Sequence, residues 1–589
     1  MSENERAWPA VDMAETYRIL TAPGAPFEME EKVIRGIPTR VYKNARSGFR
    51  ELFDLGRSWG EREFIIYEGE RQTYGAHFRA AGRLGRLLSE RYGVRKGDRI
   101  VVAMRNLPEW SVAFWAGQAI GAVVAPLNAW GLGPDLAYGI SDSGAKVAIV
   151  DAERLDRLKP HLGELSLEGL IAVRTSAEEA QEAGAILLED LIGPASAYAS
   201  LPDDPPADPG CDPDDPATIL YTSGTTGKPK GALGTHRNAM SNLVSITFGA
   251  ARGAIRRGDA LPEPDPNAPQ RVNLLPVPLF HVTGCHSMLA PTVAAGAKLV
   301  LMHKWNPERF LELVETERVN GTTGVPSMVW QVLESPDFSR RDLSSLDSYG
   351  YGGAAVAPEL TLKFAKLFPH IPPSQGYGAT ETSSVSTSNS AEDYIARPDS
   401  VGTAVPVVDL KVIDVNGDAL PPGGVGELLI RGPNVVQGYW NKPEANAKSF
   451  TDGWYHTGDI VRMDEQGFVY LLDRAKDMLI RGGENVYCVE IEDVLVSHPA
   501  VIDAAVIGLP HRILGEEVGA VVQLKPGEDI SEAELIAYAS RLLSPYKVPV
   551  RIDIRGGEFP RNASGKTLKP VLRQEVLDRL AQDAGHDAG

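Results

Sequence analysis

Tyr221-Thr222-Ser223-Gly224-Thr225-Thr226-Gly227-Lys228-Pro229-Lys230-Gly231 is the stretch on which the reading of the chain turns. Its three glycines let the backbone turn tightly and bring N–H groups close to a ligand. Thr222, Ser223, Thr225 and Thr226 carry hydroxyls that can donate to phosphate oxygens, and Lys228 and Lys230 add positive charge. The run before it, Ala217 to Tyr221, has the apolar, β-branched content of a buried strand. A strand that delivers a flexible, donor-rich loop is a common way to hold a nucleotide triphosphate. The loop is not a Walker A motif, because Gly224-x-x-Gly227-Lys228 is two residues too short for it. Taken alone, the stretch could also be a Ser/Thr/Gly surface turn.

Further motifs lie downstream. Gln375-Gly376-Tyr377-Gly378-Ala379-Thr380-Glu381 flanks an aromatic ring with glycines, so that a flat ring can lie against a base, and then offers a hydroxyl and a carboxylate. Gly352-Gly353-Ala354-Ala355 is a run of small residues. Gly453-Trp-Tyr-His-Thr-Gly-Asp459 ends on a carboxylate able to accept from two vicinal hydroxyls at once. Arg474-Ala475-Lys476-Asp477 is a charged run, Gly482-Gly483-Glu484-Asn485 a glycine pair, and Pro560 to Lys566 a glycine-turned loop that presents a lysine. Each has a bland alternative: a crowded turn, a solvated charge run, a surface lysine.

In this order and spacing, from about Phe49 to Lys569, the chain resembles the adenylate-forming enzymes: acyl-CoA synthetases, adenylation domains of peptide synthetases, and luciferases. It is most similar to a fatty acyl-CoA ligase. The resemblance implies that Thr222 to Gly227, Lys228 and Lys230 hold phosphates, while Gly353 and Ala354 cover one face of adenine. It further implies Gln375, Gly376 and Tyr377 at adenine, Thr380 at the α-phosphate and Glu381 at Mg²⁺, a hard ion that prefers oxygen ligands. Asp459 and Arg474 would share the ribose, and Lys566 would be the adenylation lysine. Lys476 would be the hinge between domains, in a position where many relatives carry Asp. Gly482, Gly483 and Glu484 would line the path of the CoA pantetheine arm.

The implied activity is ATP-dependent carboxylic acid–CoA ligation, through acyl-AMP and pyrophosphate to acyl-CoA and AMP. His281 supports this branch, because amino-acid adenylators place an Asp near here and none lies between Pro278 and Gly284. It is taken as catalytic with Lys566. Gly284, Gly350 and Gly353 hint at a roomy pocket, favouring a medium- or long-chain or bulky apolar acid, with an aryl acid or a carrier-protein thiol acceptor as alternatives.

The bulk numbers agree. A length of 589 residues exceeds one hydrophobic core, and 43% hydrophobic with 23% charged residues is the composition of a soluble globular protein. A net charge of −19 argues against a nucleic-acid partner. Three cysteines without a C-x-x-C pair fit a reducing compartment and offer no zinc site. The polar N-terminus is no signal peptide, and Ser111 to Trp130 reads as a buried helix and strand in place of a membrane span. The expected location is cytoplasmic, with peripheral membrane contact and a homodimer left open.

Alternating helical and strand patterns from Phe49 predict an α/β fold with a mostly parallel sheet. The large domain spans 1–473 and includes a β-rich subdomain from Val407 to Arg431; a small α+β lid spans 474–589. The active site is expected between them. Residues 1–45 form an extension with some helix, 258–270 a Pro-rich insertion, and Ala581 to Gly589 a disordered tail.

Overall fold

The protein is described by a computed structural model that covers residues 8–222, 228–262, 265, 268–353, 356, 358–482, 484–562 and 565–586, with side chains of the last helix described to residue 580. The extension holds a helix, α1 (Met13–Thr21), capped by Asp12, and a hairpin, β1 (Met29–Ile34) with β2 (Ile37–Tyr42). Leu20, Phe27 and Tyr42 bury themselves against Phe248 and the β-rich region, so this segment is part of a core.

Seven strands make the first sheet, and all its pairs are parallel except the last. That last pair is β3 (Pro216–Thr222) with β4 (Lys230–Thr235), the hairpin whose tip is the glycine-rich loop. Thr235 then caps α2 (His236–Arg257), and Gly258, at φ +79°, closes the helix in the left-handed region that glycine adopts without strain. The stretch Ser111 to Trp130 is a buried helix (Pro108–Ala119) followed by a buried strand (Val123–Pro126). Among the described residues no helix is long and apolar enough to cross a membrane.

The second sheet has fourteen strands. Its parallel part includes β5 (Val272–Leu275), β6 (Gly321–Gly324), β7 (Ser348–Gly352) and β8 (Ser374–Tyr377). It turns antiparallel at β9 (Thr387–Ser390) and runs on through Ser400–Ala404 to β10 (Trp454–Met463) and β11 (Val469–Arg474). The strands of the expected β-rich subdomain, Asp409–Ile413 and Val425–Arg431, form the antiparallel edge of this same sheet.

After β11 a turn over 475–477 leads into the smaller C-terminal unit, whose five-stranded sheet starts with the short hairpin β12 (Leu479–Arg481) and β13 (Glu484–Val486). Its helix Glu532–Ala539 opens on the capping box Ser531/Glu534, as its sequence predicts. The final helix spans Lys569–His586, so residues 581–586 of the tail expected to be disordered continue a helix, while 587–589 lie outside the described residues. Its first turns are held to the core of this unit by Leu572 and Val576.

Candidate active site

One cavity of about 970 Å³ collects seven of the candidate residues. Its lining includes His281, Gly353, Gln375, Gly376, Tyr377, Thr380 and Lys566. Lys566 is the C-terminal unit's one contribution among the described lining residues.

Lys566 sits on a tight loop. Its N–H donates to Asn562 Oδ1 at 2.9 Å, Arg561 donates to the Gly565 carbonyl at 2.8 Å, and Gly565 takes φ +79°. A Cβ on Gly565 would come within 2.9 Å of Val325 Cγ2, so this loop is seated against the large domain. Enclosure strips water from the Lys566 ammonium, and Arg474 repels it. Together they pull its pKa down to about 8 against the attraction of Asp459 and Glu381.

His281 precedes a helical turn (Val282–Gly284) that widens into a π-helical turn (Cys285–Leu289). Burial, then the charge of Lys566, lowers its pKa to about 4, so the ring is neutral near pH 7. Gly284 does not widen the pocket as the sequence reading expected. It lies outside the lining, and a Cβ there would overlap the Pro278 carbonyl oxygen. Gly350 and Gly353 do line the cavity, Gly353 with φ +78°.

The register of β10 against β11 places Asp459 opposite Arg474. Their side chains pair at 3.1 Å, and the other Asp459 oxygen accepts from the Tyr377 hydroxyl at 2.6 Å. Burial and the neighbouring Asp459 charge raise the Tyr377 pKa far above that of a free phenol, so it stays a donor. Gln375 is held by Tyr394, whose hydroxyl donates to its Oε1 at 2.7 Å.

Thr380 opens a 3₁₀ turn (Thr380–Thr382), and Glu381 is buried beside it. Glu381 Oε1 accepts from Tyr439 at 2.6 Å, and the Tyr439 ring faces Lys230 Nζ at 4.9 Å. Tyr439 thus links the β3–β4 hairpin to Glu381, a contact that no motif in the sequence signals. Thr222 donates to the Lys230 carbonyl at 3.3 Å, and the Lys228 ammonium lies 4.8 Å from the Tyr138 ring. Ser223, Gly224, Thr225, Thr226, Gly227, Ala354 and Gly483 lie outside the described residues.

Gly482, Glu484 and Lys476 also stand outside the cavity lining. Gly482, at φ +62°, turns between β12 and β13 with its N–H bonded to Leu514 O at 2.8 Å, and Glu484 is exposed. Lys476 is exposed in the 475–477 turn, where the N–H groups of Asp477 and Met478 both bond to the Arg474 carbonyl.

For a divalent cation the fit is narrow but consistent. Among the described residues no cluster of three His, Cys, Asp or Glu side chains forms a metal cage. A buried carboxylate with one oxygen left uncommitted by Tyr439 suits Mg²⁺ held jointly with substrate phosphates.

A family model described as AMP-binding enzyme matches residues 53–440, and one described as AMP-binding enzyme C-terminal domain matches 490–566. The chain belongs to the AMP-binding enzyme family. Curated relatives of this AMP-binding enzyme include a feruloyl-CoA synthase from an Amycolatopsis species, 34% identical over 511 residues that cover 87% of this chain and 95% of that protein. The long-chain-fatty-acid–CoA ligase FadD13 of Mycobacterium tuberculosis is 33% identical over 509 residues, covering 86% and 93%. The solved o-succinylbenzoate CoA synthetase of Bacillus subtilis, in complex with its acyl-adenylate, superposes with a TM-score of 0.73 at 28% identity, covering 90% of this chain and 98% of that one. These relatives are acid–thiol ligases, and their substrates are both aryl and fatty acids.

Proposed function

We propose that this AMP-binding enzyme is a carboxylic acid–CoA ligase acting in the cytoplasm on a long-chain or bulky acid. The observation that carries the reading is Lys566, a lysine of the C-terminal unit enclosed in the same cavity as His281, Tyr377 and Thr380. In the first step a carboxylate oxygen of the acid attacks the α-phosphorus of ATP, and the bond to pyrophosphate breaks. Lys566 neutralises charge that builds on the oxygens between acid and α-phosphate. Asp459 and Arg474 fix the ribose, Tyr377 lies along adenine, and Thr380 donates to the α-phosphate. Glu381 would hold Mg²⁺, which when bound offsets the charge of the leaving pyrophosphate. His281, neutral and without a carboxylate beside it in its segment, suits an acid lacking an α-ammonium group.

In the second step the CoA thiol attacks the acyl carbon and AMP leaves. Gly482, Gly483 and Glu484 are the candidates for the pantetheine path, yet Gly482 and Glu484 stand outside the cavity that holds Lys566. One small domain therefore presents two loops in turn, and we place its boundary at 473/474 and its hinge at Lys476. Similarity to feruloyl-CoA synthase favours an aryl acid as the second substrate reading. Incubation with ATP, Mg²⁺ and a panel of fatty, aryl and amino acids, with and without CoA, tests both steps by mass spectrometry of acyl-AMP and acyl-CoA. Acyl-CoA from a fatty or aryl acid is the expected product; acyl-AMP that CoA never discharges would remove the ligase reading.

A further inference from the structure

The cavity extends well beyond the nucleotide end, and its floor is one face of the fourteen-stranded sheet. The register aligns Asn273 of β5 with Gly321 of β6, and Thr323 of β6 with Gly350 of β7 and Ser374 of β8. All five residues line the cavity. The glycines are gaps over which polar atoms stand. A Cβ on Gly350 would lie 3.5 Å from both Thr323 Oγ1 and Ser374 Oγ, and one on Gly321 would lie 3.0 Å from Asn273 Oδ1.

These polar atoms have little else to do. Asn273 spends its Nδ2 on Thr292 Oγ1 at 3.0 Å, which leaves Oδ1 as an acceptor facing the space above Gly321. Among the described residues the hydroxyls of Thr323 and Ser374 meet no hydrogen-bond partner, although a neighbouring floor hydroxyl, Ser390, does bond to the Gly249 carbonyl at 2.8 Å. An unadorned alkyl chain lying on this floor would strand three polar groups without water or partner, which protein interiors avoid. The helix α2 contributes Gly249, Ala250 and Gly253 to the same cavity, and at Gly249 it packs so close to β9 that a Cβ would come within 2.5 Å of Ser388 Oγ.

Resting on the ligase reading above, we infer that the acid this enzyme activates is oxygenated. Its body carries a hydroxyl, methoxy or keto oxygen that meets Thr323 and Ser374, with room for a donor at Asn273. Strand rise places this contact at a definite depth. Ser374 is three residues from Tyr377 along β8, or about 10 Å from the nucleotide end, and the Asn273 row lies about 7 Å deeper. An aryl acid with a para oxygen, or a chain acid with a mid-chain or terminal hydroxyl, has an oxygen at that depth.

Two matched pairs test the inference: 4-hydroxycinnamate against cinnamate, and 10-hydroxydecanoate against decanoate. Pyrophosphate release and thioester formation are measured separately for the wild type, for Thr323→Val with Ser374→Ala, and for Ser374→Ala alone. Valine keeps the branched threonine shape and puts a methyl where the hydroxyl was. The expected result is a kcat/KM preference of about tenfold for the oxygenated member of at least one pair, the scale of one buried hydrogen bond. That preference should shrink in Ser374→Ala and vanish in the double variant, while the rate with the unoxygenated acid holds. Equal or better turnover of cinnamate and decanoate by the wild type overturns the inference, as does a preference that survives in the double variant. Pyrophosphate release without any thioester would count against CoA as acceptor and leave the oxygen preference readable in the first step.

Discussion

The Tyr377 hydroxyl donates to the Asp459 carboxylate over 2.6 Å, joining two motifs that lie 82 positions apart in the chain. The bond fixes both the ring proposed to lie along adenine and the carboxylate proposed to hold the ribose. A hydrogen bond to a charged group contributes about 1.5–3 kcal/mol. Tyr377→Phe should therefore raise the KM for ATP by roughly ten- to a hundredfold, with the KM for the acid little changed. Initial rates against each substrate check this; an equal rise in both KM values would mean general loosening.

Removing Lys566 should separate the two half-reactions. One charge about 4 Å from the α-phosphate contributes on the order of 4 kcal/mol at an effective dielectric near 20. Lys566→Ala should thus slow acyl-AMP formation about a thousandfold while supplied acyl-AMP is converted to thioester at a near-normal rate. Similar losses in both steps would refute the role.

The same lysine sets a pH dependence. Only its protonated form is cationic, and with its pKa lowered to about 8 the cation is lost as pH rises through that value. The kcat/KM for ATP, which reports groups of the free enzyme, should fall on the alkaline side with a midpoint near pH 8. Lys566→Arg keeps its charge throughout and should remove that limb even if its rate is lower. An alkaline limb unchanged in Lys566→Arg assigns it elsewhere.

Gly565→Val probes the seat of the lysine loop. The substitution puts a side chain against Val325, 2.9 Å away at its first carbon, and forces a β-branched residue to φ +79°. Acyl-AMP formation should drop by at least an order of magnitude, whereas thioester formation, for which the proposed rotation withdraws this loop, should not. A comparison of single-turnover rates for the two steps decides it.

Lys476→Pro probes the hinge. Proline locks φ near −65° and restricts Ala475 as well. The proposed rotation would also release Cys488 N–H from the Asp473 carboxylate, to which it donates at 2.5 Å. Because Lys566 already occupies the cavity, the variant should retain acyl-AMP formation and lose thioester formation. Equal slowing of both steps, or of neither, would move the hinge elsewhere.

Strands that pack apolar side chains on both faces were legible in the sequence: Arg99–Ala103, Val147–Asp151 and Gly169–Val173 all read as continuous apolar runs. Local chemistry was legible too, as in the capping box Ser531/Glu534 that opens the helix Glu532–Ala539. The strands β6 to β9 were not legible. Gly-Thr-Thr-Gly and Ser-Tyr-Gly-Tyr-Gly carry no apolar alternation, because one face of each looks into the cavity and has nothing to pack against. The site shows the same division. Asp459 and Arg474 were expected on one ribose, and the strand register sets them face to face. Tyr439 escaped notice because its position beside Glu381 depends on a long-range fold contact that spacing does not encode.

The strands β6, β7 and β8 each run from the floor proposed to lie beneath the acid to the loops proposed to surround the nucleotide, with only one or two residues between. Shifting any of them by one residue would turn Gly350, Thr323 or Ser374 to the opposite face and displace Gly353, Val325 or Tyr377 in the same stroke. A lineage exploring new acids on this scaffold can exchange side chains along these strands freely, yet a single inserted or deleted codon there would abolish recognition of ATP along with that of the acid. Diversity in what is activated is thus open to point substitution and closed to changes of length.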